Sequence, residues 1–235
     1  MAPVQIDAEA LAHAIRESLA AQANPERAAG QRAYMRSRLP YHGLTMPEVR
    51  TTMAALCRQY RLPDIGSWQR AILELWDGVT HREQWYAALA LARHRSYAPW
   101  ALEVSTVPLW EHLIRTGAWW DVNDEIAQHL IEPLLAAQPS EMTPILRTWS
   151  TDEDPWIRRV SILAQNGRRS GTDTGLLVDC IAGSLGDRDF FSRKAIGWAL
   201  REYSKTDPAW VQTYVADHAD ALSPLSAREA LRLIR

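Results

Sequence analysis

Apolar residues recur at three- and four-residue spacing along most of the chain, as in Leu11-Ile15-Leu19, Met53-Leu56-Tyr60, Ile72-Leu75-Trp76 and Ile126-Leu130-Leu134. That spacing lays them on one stripe of an α-helix. Val, Ile and Thr nowhere alternate over a strand's length, so no sheet is expected. Asn24-Pro25, Thr45-Met46-Pro47-Glu48 and Asp207-Pro208 read as helix caps with a proline in the first turn. Gly43, Gly78, Gly117, Gly167 and Gly186 stand where helices would stop. The pattern predicts an all-α chain of about a dozen helices.

A weak repeat overlies these helices. Trp76, Ile114, Trp149 and Leu185 each precede a polar turn that leads into another amphipathic helix, at separations of 38, 35 and 36 residues. A two-helix unit at that period predicts an α-solenoid of HEAT-like repeats with a concave binding face. No linker interrupts it, so a single domain over residues 1–235 is expected.

Composition narrows the class. At 235 residues and 47% hydrophobic, the chain can bury a sizeable core. It has no apolar run of the roughly 18 residues a membrane span needs. The stretch from Met1 to Gln22 lacks the basic start and apolar centre of a signal peptide. A cytoplasmic monomer that leaves membranes alone is therefore expected. Cys57 and Cys180 stand far apart, which excludes a disulfide scaffold and any CxxC metal or redox site. The seven histidines show no metal-ligand spacing, and no dinucleotide, Walker, HExxH or GxSxG motif occurs. No cofactor and no metal are expected.

The net charge is −2, where many nucleic-acid domains are strongly basic. Distribution qualifies that. Seven arginines and two acids fall between Glu26 and Arg61, and Arg158-Arg159, Arg168-Arg169 and Arg193-Lys194 form basic pairs. Only two of the 26 cationic residues are lysines, and arginine suits bidentate phosphate contacts.

Candidate chemistry gathers in Trp119-Trp120-Asp121-Val122-Asn123-Asp124. In a helix, Trp120 and Asp124 share a face. Two adjacent indoles point about 100° apart, so one leaves the core stripe. Trp120 is the better candidate, having Asp124 and Gln128 on the following turns. Asp124 reads as a helix cap, as an arginine's partner or as a free carboxylate, with Asp121 the N-terminal cap or first-turn acid. Trp76, Trp85, Trp110 and Trp149 lie among Leu, Ile and Ala and read as core. After the acidic turn 151–154, Arg159 shares a face with Trp156. It reads either as part of a solvated ion-pair cluster or as a phosphate clamp. In the segment from Phe190 to Tyr203, Gly197 sits mid-helix at a cost of about 1 kcal/mol relative to Ala, which signals close backbone approach. Trp198 beside it is flanked by Lys194 and Arg201. That interleaving suits nucleic acid, or a packed helix with snorkelling cations.

Together these segments resemble the AlkD family of DNA alkylation-repair glycosylases. The likeness rests on Arg32-Ala33-Tyr34-Met35-Arg36 with Gly43 and Pro47-Glu48, on Trp119-Trp120-Asp121 with Asp124, and on Trp156-Ile157-Arg158-Arg159. It rests also on Arg193 to Trp198 with Leu200 to Tyr203, and on a closing 222–226 with Arg228-Glu229-Ala230. It runs from about residue 25 to the end. The chain departs from the family at Asn123, where an apolar residue is usual, and at Asn166-Gly167-Arg168-Arg169, where lysines are. The resemblance implies a fold of HEAT-like repeats with Asp124, Trp120 and Trp198 as catalytic residues. It places Arg159, Tyr34, Arg158, Arg168, Arg169, Lys194 and Arg201 against DNA. It implies a monofunctional glycosylase acting on cationic N3- or N7-alkylpurines in double-stranded DNA, without base flipping and with room for bulky adducts. Two other readings stay open at this point. A repeat module that binds damaged or branched DNA without cutting it would release no base. A protein-binding scaffold would show no salt-dependent DNA binding.

Overall fold

The computed structural model describes residues 3–234, which form two compact units, one ending at Ala101 and the other beginning at Leu102. The outer ends of the expected 1–235 span, Met1 and Arg235, lie with Ala2 outside the described residues.

The first unit holds α1 (Ala8–Ala20), α2 (Pro25–Met35), α3 (Met46–Gln59), α4 (Ile65–Asp77), α5 (Glu83–Ala92) and the single turn α6 (Ala98–Ala101). Its helix starts are written locally in the sequence. Asn24 caps α2, Asp64 caps α4, and Thr45 with Glu48 forms a reciprocal capping box on α3. Helices α1 and α4 pack together, with Leu11, Ile15 and Leu19 of the one and Ile72, Leu75 and Trp76 of the other all fully buried. The glycine signal at Gly43 resolves into a close approach rather than a helix stop. Its φ is +96°, and a Cβ there would lie 2.0 Å from the Asn24 carbonyl oxygen. Among the described residues the helical pattern is broken by β1 (Val4–Gln5), paired in parallel with β2 (Tyr60–Arg61), Val4 opposite Tyr60. Two residues a side are too few to leave an alternating pattern. Trp85 also departs from expectation. It is half-buried, stacked on Trp76 at 5.0 Å, with its Nε1–H donated to the Trp76 carbonyl.

The second unit runs α7 (Val107–Gly117), α8 (Trp120–Ile126), a π-helical stretch (Ala127–Ile131), α9 (Glu132–Ala137), α10 (Pro139–Trp149) and α11 (Pro155–Leu163). It continues with α12 (Thr174–Ala182), α13 (Phe190–Tyr203), α14 (Pro208–Asp217) and α15 (Pro224–Ala230). Its core includes Trp110, Val122, Ile126, Leu146, Trp149, Ile157, Val160, Ile196 and Leu200. Truncating one such tryptophan to alanine would cost about 3–5 kcal/mol.

The repeat is visible in two successive turns of this unit. Asp152 accepts the Asp154 N–H at 2.8 Å, and Asp154 caps α11. Thirty-five residues on, Asp187 accepts the Asp189 N–H at 2.9 Å and Asp189 caps α13. Each leading aspartate binds an arginine of a preceding helix at 2.7 Å, Arg115 for Asp152 and Arg158 for Asp187.

Candidate functional site

Helix α8 starts without a side-chain cap, since Trp119 at the N-cap offers no acceptor. Asp121 then supplies the first-turn negative charge that the helix dipole favours. Trp120 and Asp124 follow on one face, both half-buried. Past Asp124 the helix widens into the π turn, and the Gln128 amide donates to the Asp124 carbonyl at 3.2 Å. Such turns recur at functional sites because they re-aim side chains.

Helix α11 packs against both α8 and α13. From α11, Arg159 donates Nε–H to Asp124 Oδ1 at 2.8 Å and Nη2–H to Oδ2 at 3.0 Å. Its Nη1–H goes to the Phe191 carbonyl of α13 at 2.6 Å. One guanidinium therefore ties three helices together. The Arg159 side chain is 4% exposed and that of Asp124 14%. Burial holds the Asp124 carboxyl above its ordinary value, and the hydrogen bonds and charge of Arg159 offset only part of that rise. A bidentate pair of this kind fixes the orientation of both carboxylate oxygens.

An aromatic cluster adjoins the pair. Trp119, Trp156 and Phe191 have ring centroids 5.0 to 6.2 Å apart, and the Arg159 guanidinium lies 5.9 Å from the Phe191 centroid. Trp119 is thus the packed member of the tryptophan pair. Trp198 stands seven residues beyond Phe191 on α13. That is two turns, or about 10 Å, along the same face, and Trp198 is half-buried. The structure brings Asp124 and Arg159 into contact and places Trp120 and Trp198 on the two helices that Arg159 joins.

The other cations expected to meet DNA are mostly engaged within the protein. Arg158 pairs with Asp187 and also donates to the carbonyls of Asp152 and Glu153. Arg168 bonds the Gly171 carbonyl and Glu132. Lys194 and Arg201 both bind Glu229, at 3.0 and 2.6 Å. Arg169 is exposed, in a left-handed backbone at φ +54°, beside a small hollow shared with Asn166 and Tyr203. In the first unit, Tyr34 is 79% exposed on α2. Arg159 is therefore neither a free clamp nor part of a solvated cluster, because burial against Asp124 consumes it.

Sequence reasoning passed over Glu229 and the buried face of Asn123. Asn123 is fully buried, and neither amide atom has a hydrogen-bond partner among the described residues. An unmet polar group of that kind costs about 1–3 kcal/mol. The available signal was the departure at Asn123 from the apolar residue that the resemblance implies there. The closing motif contained Glu229, but its two nearest cations, Arg201 and Lys194, lie 28 and 35 residues earlier, beyond the reach of any spacing rule.

The sequence profile of the family described as DNA alkylation repair enzyme matches residues 15–234. The chain belongs to the DNA alkylation repair enzyme family. Among solved structures, one from Enterococcus faecalis described as a predicted DNA alkylation repair enzyme superposes with a TM-score of 0.75. It is 28% identical, and the alignment covers 91% of this chain and 97% of that one. No curated protein matches the chain. Family membership places the chain in DNA alkylation repair and agrees with the all-α fold. No helix among the described residues is long and apolar enough to cross a membrane. None of their His, Cys, Asp and Glu side chains cluster in threes as metal ligands would.

Proposed function

We propose that this member of the family is a monofunctional DNA glycosylase that releases cationic N3- or N7-alkylpurines from double-stranded DNA. The observation that carries the proposal is the Asp124–Arg159 pair, a desolvated carboxylate held in fixed orientation between two helices bearing half-exposed indoles. Alkylation gives the base a positive charge. When the C1′–N bond breaks, its electron pair leaves with the base, which departs neutral, and the sugar carries the charge. An ionised Asp124 preorganised at that point stabilises the oxocarbenium-like sugar. Arg159 occupies one lone pair on each oxygen, which leaves others to orient water. Water adds to C1′ and gives up its proton, so an abasic site remains. Trp120 and Trp198 would hold the deoxyribose and favour the cationic nucleotide.

Lysine chemistry is not invoked, since Lys194 and Lys205 are ion-paired with Glu229 and Glu202. With no enclosed base pocket in the proposed mechanism, the lesion would stay in the stack and bulky adducts would be tolerated. We also take the working form to be a monomer on duplex DNA. The test is base release from duplexes carrying 7-methylguanine or a bulky N3-adenine adduct. Release of methyl but not bulky bases would retain the glycosylase and refute the open-site reading. Salt-dependent duplex binding with no release of either base would instead favour a non-catalytic damage-binding module.

A further inference from the structure

Helix α15 presses against α13 at Gly197. A Cβ there would lie 2.6 Å from Glu229 Cβ and 3.0 Å from the Ser226 carbonyl oxygen. Ser226 adds a hydrogen bond to the Arg193 carbonyl at 2.9 Å. This contact delivers one carboxylate, only 12% exposed, into a group of three cations. Glu229 meets Lys194 at 3.0 Å, Arg201 at 2.6 Å and Arg232 at 4.0 Å. These cations, the Lys194 hydrogen bond foremost, hold the Glu229 carboxyl below its ordinary value.

Angular position shows what the carboxylate separates. At about 100° per residue, Gly197 lies about 100° from Trp198 around α13, while Lys194 and Arg201 lie about 40° and 60° away on the same side. The two cations thus fill the strip between the α15 contact and Trp198. They are the positive charges of α13 nearest that indole, and both are turned onto an internal anion.

We infer that Glu229 is an internal counter-anion that stands in for a DNA phosphate. It lowers the affinity for undamaged duplex and so sets specificity at the strip beside Trp198. The inference rests on the reading that this face meets DNA. A phosphate approaching α13 must compete with a carboxylate already bound to both cations, and only a lesion-bearing site with further contacts at Trp120 and Trp198 makes up the difference.

Glu229→Gln tests this in the full chain by anisotropy titration of an undamaged duplex between about 50 and 200 mM salt. The variant frees Lys194 and Arg201. Each further phosphate neutralised steepens the plot of log K against log salt by about 0.9, so the slope should rise by about one to two, with several-fold tighter binding at the low-salt end. Asp179→Asn removes the same charge at an exposed pair with Arg147 on α10 and should leave the slope unchanged. A folded Glu229→Gln variant with unaltered or weaker binding would overturn the inference, as would an equal gain in Asp179→Asn. Should Glu229→Gln fail to fold, Arg201→Met with Glu229→Met removes both partners of the shortest pair at similar volume. Of the two cations beside Trp198 it frees only Lys194, so about half the rise in slope is expected, and no rise overturns the inference. Base release by the wild type is a separate readout. A steeper slope without release would sink the glycosylase and keep Glu229, and release without a steeper slope would do the reverse.

Discussion

Replacing Asp124 by asparagine should separate chemistry from folding. The two carboxylate oxygens take two bonds from Arg159, so breaking a largely buried ion pair would at first sight cost about 3–5 kcal/mol. Two features argue for less. The Asp124 carboxyl sits above its ordinary value because burial outweighs what Arg159 returns, so removing the charge also removes that desolvation cost. Asparagine keeps one acceptor for Arg159, and the Phe191 carbonyl remains a second. The net loss should therefore be about 1–2 kcal/mol, or a fall in Tm of roughly 2–8 °C for a chain of this size. Catalysis should suffer far more, since loss of one preorganised electrostatic group costs about 10²–10³ in kcat. Single-turnover release of 7-methylguanine, run below the variant's melting point with duplex affinity measured alongside, reads both effects. Unchanged affinity with release down at least about 100-fold is expected. Release within tenfold of the wild type would refute the role of Asp124. A fall in Tm beyond about 15 °C would refute the energetic argument.

The raised Asp124 carboxyl also fixes a pH dependence. Release requires the carboxylate, so the acid limb of its pH profile should lie above that of an exposed aspartate, and Arg159→Gln should move it higher still by removing the opposing charge. The stability sign is opposite to that of an ordinary ion-paired acid: the contribution of Asp124 is fully present below its unfolded value and is lost as pH rises through the folded one. The stability gap between wild type and Asp124→Asn should therefore narrow from acid to neutral pH in denaturant titrations, and a widening gap would contradict the assigned direction. Asn123→Leu removes two unmet amide atoms from a fully buried position and should stabilise by about 1–2 kcal/mol in thermal melts. A drop in Tm would mean that the amide is satisfied after all. Gly197→Ala gains helix propensity but drives a methyl into Glu229 and Ser226, so a net loss of about 1–2 kcal/mol is expected, and a more stable variant would show that α15 yields easily.

What could be read from the sequence was local. The caps at Asn24, at Thr45 with Glu48, and at Asp207 are formed as the residue types imply, because each acceptor lies within three residues of its donor. The close approach at Gly197 followed from the cost of a mid-helix glycine. The fates of the arginines could not be read this way. The partner of Arg159 lies 35 residues away and that of Arg158 lies 29, and no spacing rule reaches that far. Trp85 was misjudged for a related reason. Its neighbours in sequence are largely apolar, yet it is only half-buried, stacked on Trp76 with the Arg82 guanidinium 5.2 Å from its ring centroid.

By itself, the sequence determined the helical class, the repeat near 36 residues, the motifs that mark the family, and the set of groups available for chemistry. Apolar periodicity, capping and motif order are properties of neighbouring residues, and they survive in a one-dimensional reading. Tertiary structure alone decided which charges are spent. It buried Arg159 against Asp124, turned Lys194 and Arg201 onto Glu229, and left Tyr34 and Arg169 facing solvent. The physical reason is that a charge's role depends on its desolvation and on the angle at which another helix presents a counter-charge, and both arise only when helices distant in sequence pack together.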